Sequence, residues 1–234
     1  MAKSIVYLIP SFLEEDATGT IPPYIKDAVT GCQVFFVENE RSARRYLKKI
    51  WKEIVIDDYE WFTIHKTEEE AASAFKQKIK EEKNIGIISE AGCPGIADPG
   101  QLLISLAQEM DVEVKPLVGP NSILLALMAS GMNGQRFQFA GYLPIHEQER
   151  IKMIRELEAE SLKKNCTQVF IETPYRNNQL LDSILKICQQ TTRLCIAVNL
   201  TGSKEWIKTK KIGDWRKNKP DLHKQAAIFC IHAN

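Results

Sequence analysis

The chain has 234 residues, of which 44% are hydrophobic and 26% are charged, and its formal net charge at pH 7 is +1. This composition is typical of a soluble globular protein and excludes a mainly disordered chain. Because 31 basic residues are balanced by 30 acidic ones, the overall charge also excludes a protein that holds long nucleic acids by charge alone.

Strands and helices alternate in the first half of the chain. Short runs rich in Val, Ile and Phe predict buried strands at 5–9, 33–37, 84–88 and 112–115. Capped or amphipathic segments predict helices at 22–30, 41–51, 67–82 and 102–110, the third with Thr67 as its N-cap. Because strands that alternate with helices pair in parallel through crossover connections, we expect a mainly parallel sheet.

The second half follows a different pattern after a boundary marked by two prolines and a glycine at 116–120. We therefore predict two α/β domains, 1–116 and 117–234. Helices are predicted at 122–130, 147–162 and 177–190, and strands at 137–142, 168–172, 194–200, 206–212 and 226–232. The last strands follow one another with little helix between them, which favours antiparallel pairing and a mixed second sheet.

The six cysteines are scattered, with no Cys-x-x-Cys motif and no histidine at the spacing typical of metal ligands. No apolar stretch approaches the roughly 18–20 residues that a membrane span needs, and the first strand follows Met1 almost at once. We therefore expect a cytoplasmic protein with reduced thiols, without a metal site and without a membrane anchor.

The loop at 89–100, SEAGCPGIADPG, follows the predicted strand 84–88, and five of its twelve residues are Gly or Pro. Glycine adopts positive φ and leaves room for a ligand against the backbone, while proline fixes φ. In α/β proteins, ligands bind where loops leave the carboxyl ends of parallel strands. The sequence lacks a Gly-x-Gly fingerprint and a P-loop motif, which argues against dinucleotide binding and P-loop phosphoryl transfer.

This loop resembles the S-D-A-G-x-P-x-x-x-D-P-G segment of the tetrapyrrole methylase superfamily, specifically of its 16S ribosomal RNA 2′-O-ribose methyltransferase branch. Other segments resemble that branch's motifs in the same order along nearly the whole chain. They are VENER at 37–41 (E-D-T-R), LVGPNS at 117–122 (L-P-G-P), GYLP at 141–144 (G-F-L-P), FIETPYR at 170–176 (F-Y-E-S-x-H-R) and NLT at 199–201 (L-T-K).

The resemblance implies a two-domain fold with S-adenosylmethionine in the interdomain cleft, a homodimer, and ribose of small-subunit ribosomal RNA as substrate. Its implied cofactor contacts are Pro10, Ser89, Glu90, Ala91, Gly92, Cys93, Pro94, Ser122, Ile123, Ile171, Leu200 and Ala227. An argument from the residues supports Ser122, because the N–H groups at a helix N-terminus suit a carboxylate such as that of methionine. An ordinary helix cap is the alternative for this serine.

Methyl transfer to a ribose hydroxyl is assisted by a base, because the hydroxyl is a poor nucleophile until it is deprotonated. Glu38 is our candidate for that base and Glu40 is the second choice; the alternative is that Glu38 only pairs with Arg41 or Arg44. The candidate phosphate-binding residues are Arg41, Arg44, Arg45, Tyr175, Arg176 and Lys204. A solvated arginine face is the alternative for the first three.

Two departures from the branch's motifs keep other functions open. The usual P-T-P-I-G-N-L is replaced by IPSFLEED at 9–16, which loses the Gly-Asn pair, and the usual K-G-E-M is replaced by KQAA at 224–227. One alternative is a methyltransferase of the same fold that acts on a tetrapyrrole, another small molecule or a protein. The other is a module that binds S-adenosylmethionine without catalysis.

Overall fold

The computed structural model describes residues 4–64 and 68–233, and the chain divides into two compact units, Met1–Asn121 and Ser122–Asn234. The division lies later than the expected one after residue 116, because the segment 117–121 is tied to the first unit. Leu117 N donates to Leu8 O at 3.1 Å, and Val118 N donates to the Tyr24 hydroxyl at 2.7 Å.

A five-stranded parallel sheet forms the centre of the first unit, in the order β3-β2-β4-β1-β5. Its strands are β1 (Ile5–Ile9), β2 (Val34–Val37), β3 (Glu60–Thr63), β4 (Ile85–Ile88) and β5 (Glu113–Pro116). All residues of β2 and β4 are buried, as expected for strands that are covered on both faces. The parallel sheet confirms the predicted fold class of this half.

Four helices cover the two faces of this sheet: α1 (Ile25–Thr30), α2 (Glu40–Ile50), α3 (Glu68–Lys80) and α4 (Gln101–Glu109). Side chains of α1 and α2 share one apolar cluster with Phe35, while those of α3 and α4 share another with Phe36. Successive residues of a strand point to opposite faces, so β2 supplies both clusters. The predicted N-cap Thr67 lies outside the described residues.

The second unit is built on a five-stranded mixed sheet in the order β6-β7-β10-β8-β9, in which β6 and β7 are parallel and the other neighbours are antiparallel. The strands are β6 (Phe137–Tyr142), β7 (Thr167–Ile171), β8 (Arg193–Val198), β9 (Trp206–Lys211) and β10 (Ala227–His232). The helices are α5 (Ser122–Ser130), α6 (Glu147–Lys164), α7 (Asn177–Ile187) and α8 (Ile212–Lys217). This arrangement confirms the mixed second sheet that the sequence predicts.

The core of the second unit lies between this sheet and α6, α7 and α8. Phe170 and Phe229, paired across β7 and β10, stack with their ring centroids 5.9 Å apart. All six cysteines are free, and five of them are buried. Within residues 4–64 and 68–233, no helix is long and apolar enough to cross a membrane. The same residues contain no group of three or more His, Cys, Asp or Glu side chains that could hold a metal ion.

Candidate active site

The segments that follow β1, β2, β4 and β5 meet at the carboxyl edge of the parallel sheet. Pro10 follows β1, Glu38 follows β2, and Ser89 begins the glycine- and proline-rich loop after β4. The strand β4 lies between β2 and β1 although it comes later in the chain. Connections therefore leave the sheet in different directions at this point, which is where open α/β sheets form their ligand crevice.

The loop after β4 is held against the segment after β1 by a pair of backbone hydrogen bonds. Ser11 N donates to Gly92 O at 2.8 Å, and Gly92 N donates to Ser11 O at 3.2 Å. The Ser11 hydroxyl also donates to Ser89 O at 2.7 Å. Gly92 has a φ of +75°, and a Cβ there would lie 3.3 Å from Leu13. A residue with a side chain would therefore strain this position.

The segment after β5 also contacts the segment after β1 and the loop after β4. A Cβ at Gly119 would lie 2.2 Å from the Cβ of Pro10, so the backbone at 119 approaches the proline ring more closely than any other residue type allows. Cys93 Sγ donates to Pro120 O at 3.5 Å. The loops after β1, β4 and β5 are thus fixed to one another by hydrogen bonds and close packing, as a preorganised binding site requires.

Glu38 and Glu90 meet at this edge. Glu38 Oε2 accepts a hydrogen bond from Glu90 N at 3.2 Å, while the Glu90 carboxylate accepts one from the Ser42 hydroxyl. Asn39 is the N-cap of α2, since its Oδ1 accepts from the backbone N–H groups of Arg41 at 3.0 Å and Ser42 at 3.3 Å. Helix capping by Asn39 therefore fixes where the chain places Glu38.

Asp98 is a third carboxyl group in this region. Its pKa is raised from 3.8 to about 6, first by burial and then by the negative charges of Glu38 and Glu90. The candidates drawn from the sequence do not include Asp98, although it is the aspartate of the D-P-G that ends the recognised motif. A carboxyl group whose pKa is raised by two neighbouring carboxylates lies in a negative potential, which favours a cationic ligand.

Two of the three predicted phosphate-binding arginines of α2 form ion pairs with carboxylates. Arg44 Nη2 lies 2.5 Å from Glu40 Oε1, and Arg45 Nη1 lies 3.2 Å from Glu15 Oε1. Glu40, the second choice as a base, is thus an ion-pair partner one turn from Arg44. The structure brings Arg41, Arg44 and Arg45 onto one helix that begins beside Glu38, but two of the three cations already have anionic partners.

The predicted cofactor contacts of the second unit come to one edge of its sheet. Ile171 ends β7, Ala227 begins the antiparallel β10, and the buried Leu200 lies just beyond the end of β8. Ser122 is the first residue of α5, and Ile123, the second, is buried. The structure therefore groups the three strand-end residues together in this unit.

The other predicted substrate residues of the second unit differ in their surroundings. Arg176 Nη2 donates to Glu172 Oε1 at 2.6 Å, and the Glu172 side chain is only 1% exposed. Tyr175 is 70% exposed and lies edge-on to His223, with ring centroids 6.2 Å apart. Lys204 is exposed in the loop between β8 and β9. Arg176 is thus held by a buried carboxylate, whereas Tyr175 and Lys204 face solvent.

Sequence comparison finds relatives named ribosomal RNA small subunit methyltransferase I. The protein of Vibrio cholerae is 25% identical over 234 residues, covering 97% of this chain and 77% of the relative. The protein of Escherichia coli O157:H7 is 29% identical over 177 residues, covering 74% and 60%. That of Buchnera aphidicola from Schizaphis graminum is 31% identical over 158 residues, covering 66% and 54%. The match thus spans less than two thirds of the last two relatives. No protein-family model matches the chain.

Solved structures of methyltransferases share the fold over almost the whole chain. Diphthine synthase superposes with a TM-score of 0.70 at 12% identity, covering 99% of this chain and 90% of that protein. The methyltransferase CobJ superposes with a TM-score of 0.64 at 14% identity, covering 99% and 94%. The chain is thus similar to ribosomal RNA small subunit methyltransferase I in sequence and to CobJ and diphthine synthase in fold.

The superfamily and its ribosomal RNA methyltransferase branch are thus confirmed as the resemblance that the sequence predicts. In this chain, the motif that carried the resemblance forms the loop fixed by Ser11 and Gly92.

Proposed function

We propose that the protein is an S-adenosylmethionine-dependent methyltransferase that modifies the 2′-oxygen of a ribose in small-subunit ribosomal RNA. The observation that carries this proposal is the placement of Glu38, Glu90 and Asp98 beside the loop that Ser11 and Gly92 fix. Relatives named ribosomal RNA small subunit methyltransferase I support this substrate over the others used by the same fold.

The carboxylates of this site fit S-adenosylmethionine. That cofactor is cationic at its sulfur and its amine and carries a ribose diol, and carboxylates are good partners for all three groups. Bound S-adenosylmethionine supplies an electrophilic methyl group. On this chain, the loop residues 89–94 with Pro10 are the proposed contacts in the first unit. Ser122, Ile123, Ile171, Leu200 and Ala227 are those in the second.

Glu38 is the proposed general base. The backbone N–H of Glu90 donates to its carboxylate at 3.2 Å and orients it, and a carboxylate in this position can accept the proton of the ribose hydroxyl. A base positioned in this way typically contributes about 10²–10⁴-fold to the rate. The rigid loops around the site supply the rest of the rate enhancement, because they align the hydroxyl and exclude water.

The proposed RNA contacts follow from charge. Arg41 with Arg44 and Arg45 on α2 would bind backbone phosphates, together with Tyr175, Arg176 and Lys204 of the second unit. An enzyme that modifies ribosomal RNA acts in the cytoplasm, and the resemblance implies a homodimer. These assignments are proposals that rest on residue type and position.

A second candidate is methylation of a tetrapyrrole or a protein, favoured by the fold shared with CobJ and diphthine synthase. Transfer of tritiated methyl groups tests both: the purified protein is incubated with unmodified small ribosomal subunits, with porphyrinogens and with cell extract. We expect label in the ribosomal subunits. Label only in another substrate would overturn the RNA assignment, and cofactor binding without any transfer would indicate a non-catalytic binding module.

A further inference from the structure

The carboxylate of Glu15 is bound by two cations on successive turns of α2. Arg45 Nη1 lies 3.2 Å from Glu15 Oε1, and Lys49 Nζ lies 3.4 Å from Glu15 Oε2. The Glu15 side chain is 78% exposed. Exposed ion pairs of this kind contribute little to stability, because water screens the two charges. Another anion can therefore replace Glu15 at little cost.

The two cations are positioned by more than Glu15. Lys49 Nζ lies 5.9 Å from the ring centroid of Phe12, and that ring packs edge-on against Tyr46 with 4.9 Å between centroids. The Tyr46 hydroxyl donates to Pro10 O at 2.5 Å. Both rings are buried, so the aromatic pair holds the segment after β1 against α2. A turn of acidic residues, 14–16, then lies across the cations.

This place adjoins the candidate active site. A recess of about 130 Å³ is lined by Ser42, Arg45 and Lys49 of α2 and by Glu90 of the loop after β4. Ser42 and Glu90 are joined to each other by a hydrogen bond, and Glu90 N donates to Glu38. The two cations therefore line a recess that also contains residues of the candidate active site.

We propose that Arg45 and Lys49 form a binding site for a backbone phosphate of the RNA, and that Glu15 occupies this site until the phosphate displaces it. The inference rests on the proposed function, because it adds a contact for the same substrate. A guanidinium with an ammonium one turn away suits a phosphate at least as well as a carboxylate.

The acidic turn makes the site selective. Burial and then the neighbouring charge of Asp16 raise the pKa of Glu14, and the turn 14–16 carries three acidic residues. An RNA that offers only one phosphate gains little affinity, because that phosphate merely replaces the carboxylate of Glu15. An RNA surface that also reaches Arg41 and the other cations binds through several phosphates at once, so the turn disfavours short or unstructured RNA.

Binding of a short fluorescent single-stranded RNA, followed by anisotropy over a range of salt concentrations, tests this inference. Glu15→Gln removes the competing charge and is expected to tighten binding roughly threefold to tenfold at low salt. The log–log salt slope should steepen by about 0.7 for each additional phosphate that the protein neutralises. Adding Lys49→Gln to this variant should reverse most of the increase in affinity.

Glu109→Gln is the matched control, because Glu109 is an exposed glutamate on α4 and the substitution changes the net charge equally. Equal binding by the Glu15 and Glu109 variants overturns the inference, as does a lack of RNA binding by every variant. Methyl transfer to ribosomal subunits by the unaltered protein is measured separately. Transfer without a Glu15 effect refutes only the phosphate site, and a Glu15 effect without transfer refutes only the proposed activity.

Discussion

The backbone N–H of Glu90 donates to the carboxylate of Glu38 at 3.2 Å, and this bond joins the end of β2 to the loop after β4. The two residues are separated by 52 positions in sequence. The bond orients one oxygen of the proposed base while the Ser42 hydroxyl engages the carboxylate of Glu90. The geometry of the base thus depends on the same loop that we assign to the cofactor.

Replacement of the proposed base should separate chemistry from binding. Glu38→Gln keeps an oxygen that can accept from Glu90 N but cannot take a proton, so methyl transfer should slow by about 10²–10⁴-fold. Affinity for S-adenosylhomocysteine, measured by calorimetry, should stay unchanged, and the residual rate should depend less on pH. A fully active Glu38→Gln protein would show that alignment alone carries the reaction.

The cofactor loop should not tolerate a side chain at Gly92. In Gly92→Val, the residue must hold a φ of +75° with its Cβ 3.3 Å from Leu13, which costs about 1–3 kcal/mol and fills space beside the loop. We expect S-adenosylhomocysteine binding in the micromolar range, about −8 kcal/mol, to be lost. Gly19→Val is the control, since a Cβ there meets nothing within 4 Å. Tight binding of S-adenosylhomocysteine by a folded Gly92→Val protein would show that the loop does not contact the cofactor.

The pH dependence of stability should show the raised pKa of Asp98. The folded state holds the Asp98 proton up to about pH 6, whereas the ordinary pKa is 3.8. Between these values the folded state binds more protons than the unfolded state, so this group lowers the free energy of unfolding as pH rises. In thermal melts at several pH values, the stability of Asp98→Asn should not show this decrease between about pH 4 and pH 6. If the free energy of unfolding of the two proteins depends on pH in the same way, the pKa of Asp98 is not raised in the folded state.

The arginines of α2 should carry part of the salt dependence of RNA binding. Replacing Arg41, Arg44 and Arg45 together with Ala should flatten the log–log slope, by about 0.7–0.9 for each phosphate that is no longer neutralised. The change should be smaller than that expected for three phosphates, because Glu40 and Glu15 already engage two of the arginines. An unchanged slope would show that residues other than these three arginines bind the RNA phosphates. The control removes three exposed cations of α6, namely Lys152, Arg155 and Lys163.

Most elements could be predicted because their signals are local. The strand Ile5–Ile9 and the helix Ser122–Ser130 have the predicted bounds, since an apolar run or a small-residue run ends at clear Pro, Gly or Ser signals. The strand Glu60–Thr63 was missed because it is a half-buried edge strand without clear alternation. The helix Ile212–Lys217 was missed because it has only six residues and its first residue falls within the strand predicted at 206–212.

The candidate site was less predictable, because its contacts join distant parts of the chain. The motif identified Glu38 and Glu90 as candidates, but the bond between them depends on the order of β2 and β4 in the sheet. The pKa of Asp98 depends on burial and on two charges from other segments. Likewise, the pairing of Glu15 with Arg45 and Lys49 depends on how the segment after β1 packs on α2.

Methylation of a ribose in small-subunit ribosomal RNA is tested most directly by locating the transferred methyl group. Unmodified small ribosomal subunits are incubated with the protein and tritiated S-adenosylmethionine, and the RNA is then hydrolysed with alkali, which spares the linkage next to a 2′-O-methylated ribose. We expect label in an alkali-resistant dinucleotide, strongly reduced with Glu38→Gln. Label in mononucleotides, which places the methyl group on a base, would contradict the proposed reaction, and so would the absence of label from a protein that binds S-adenosylhomocysteine.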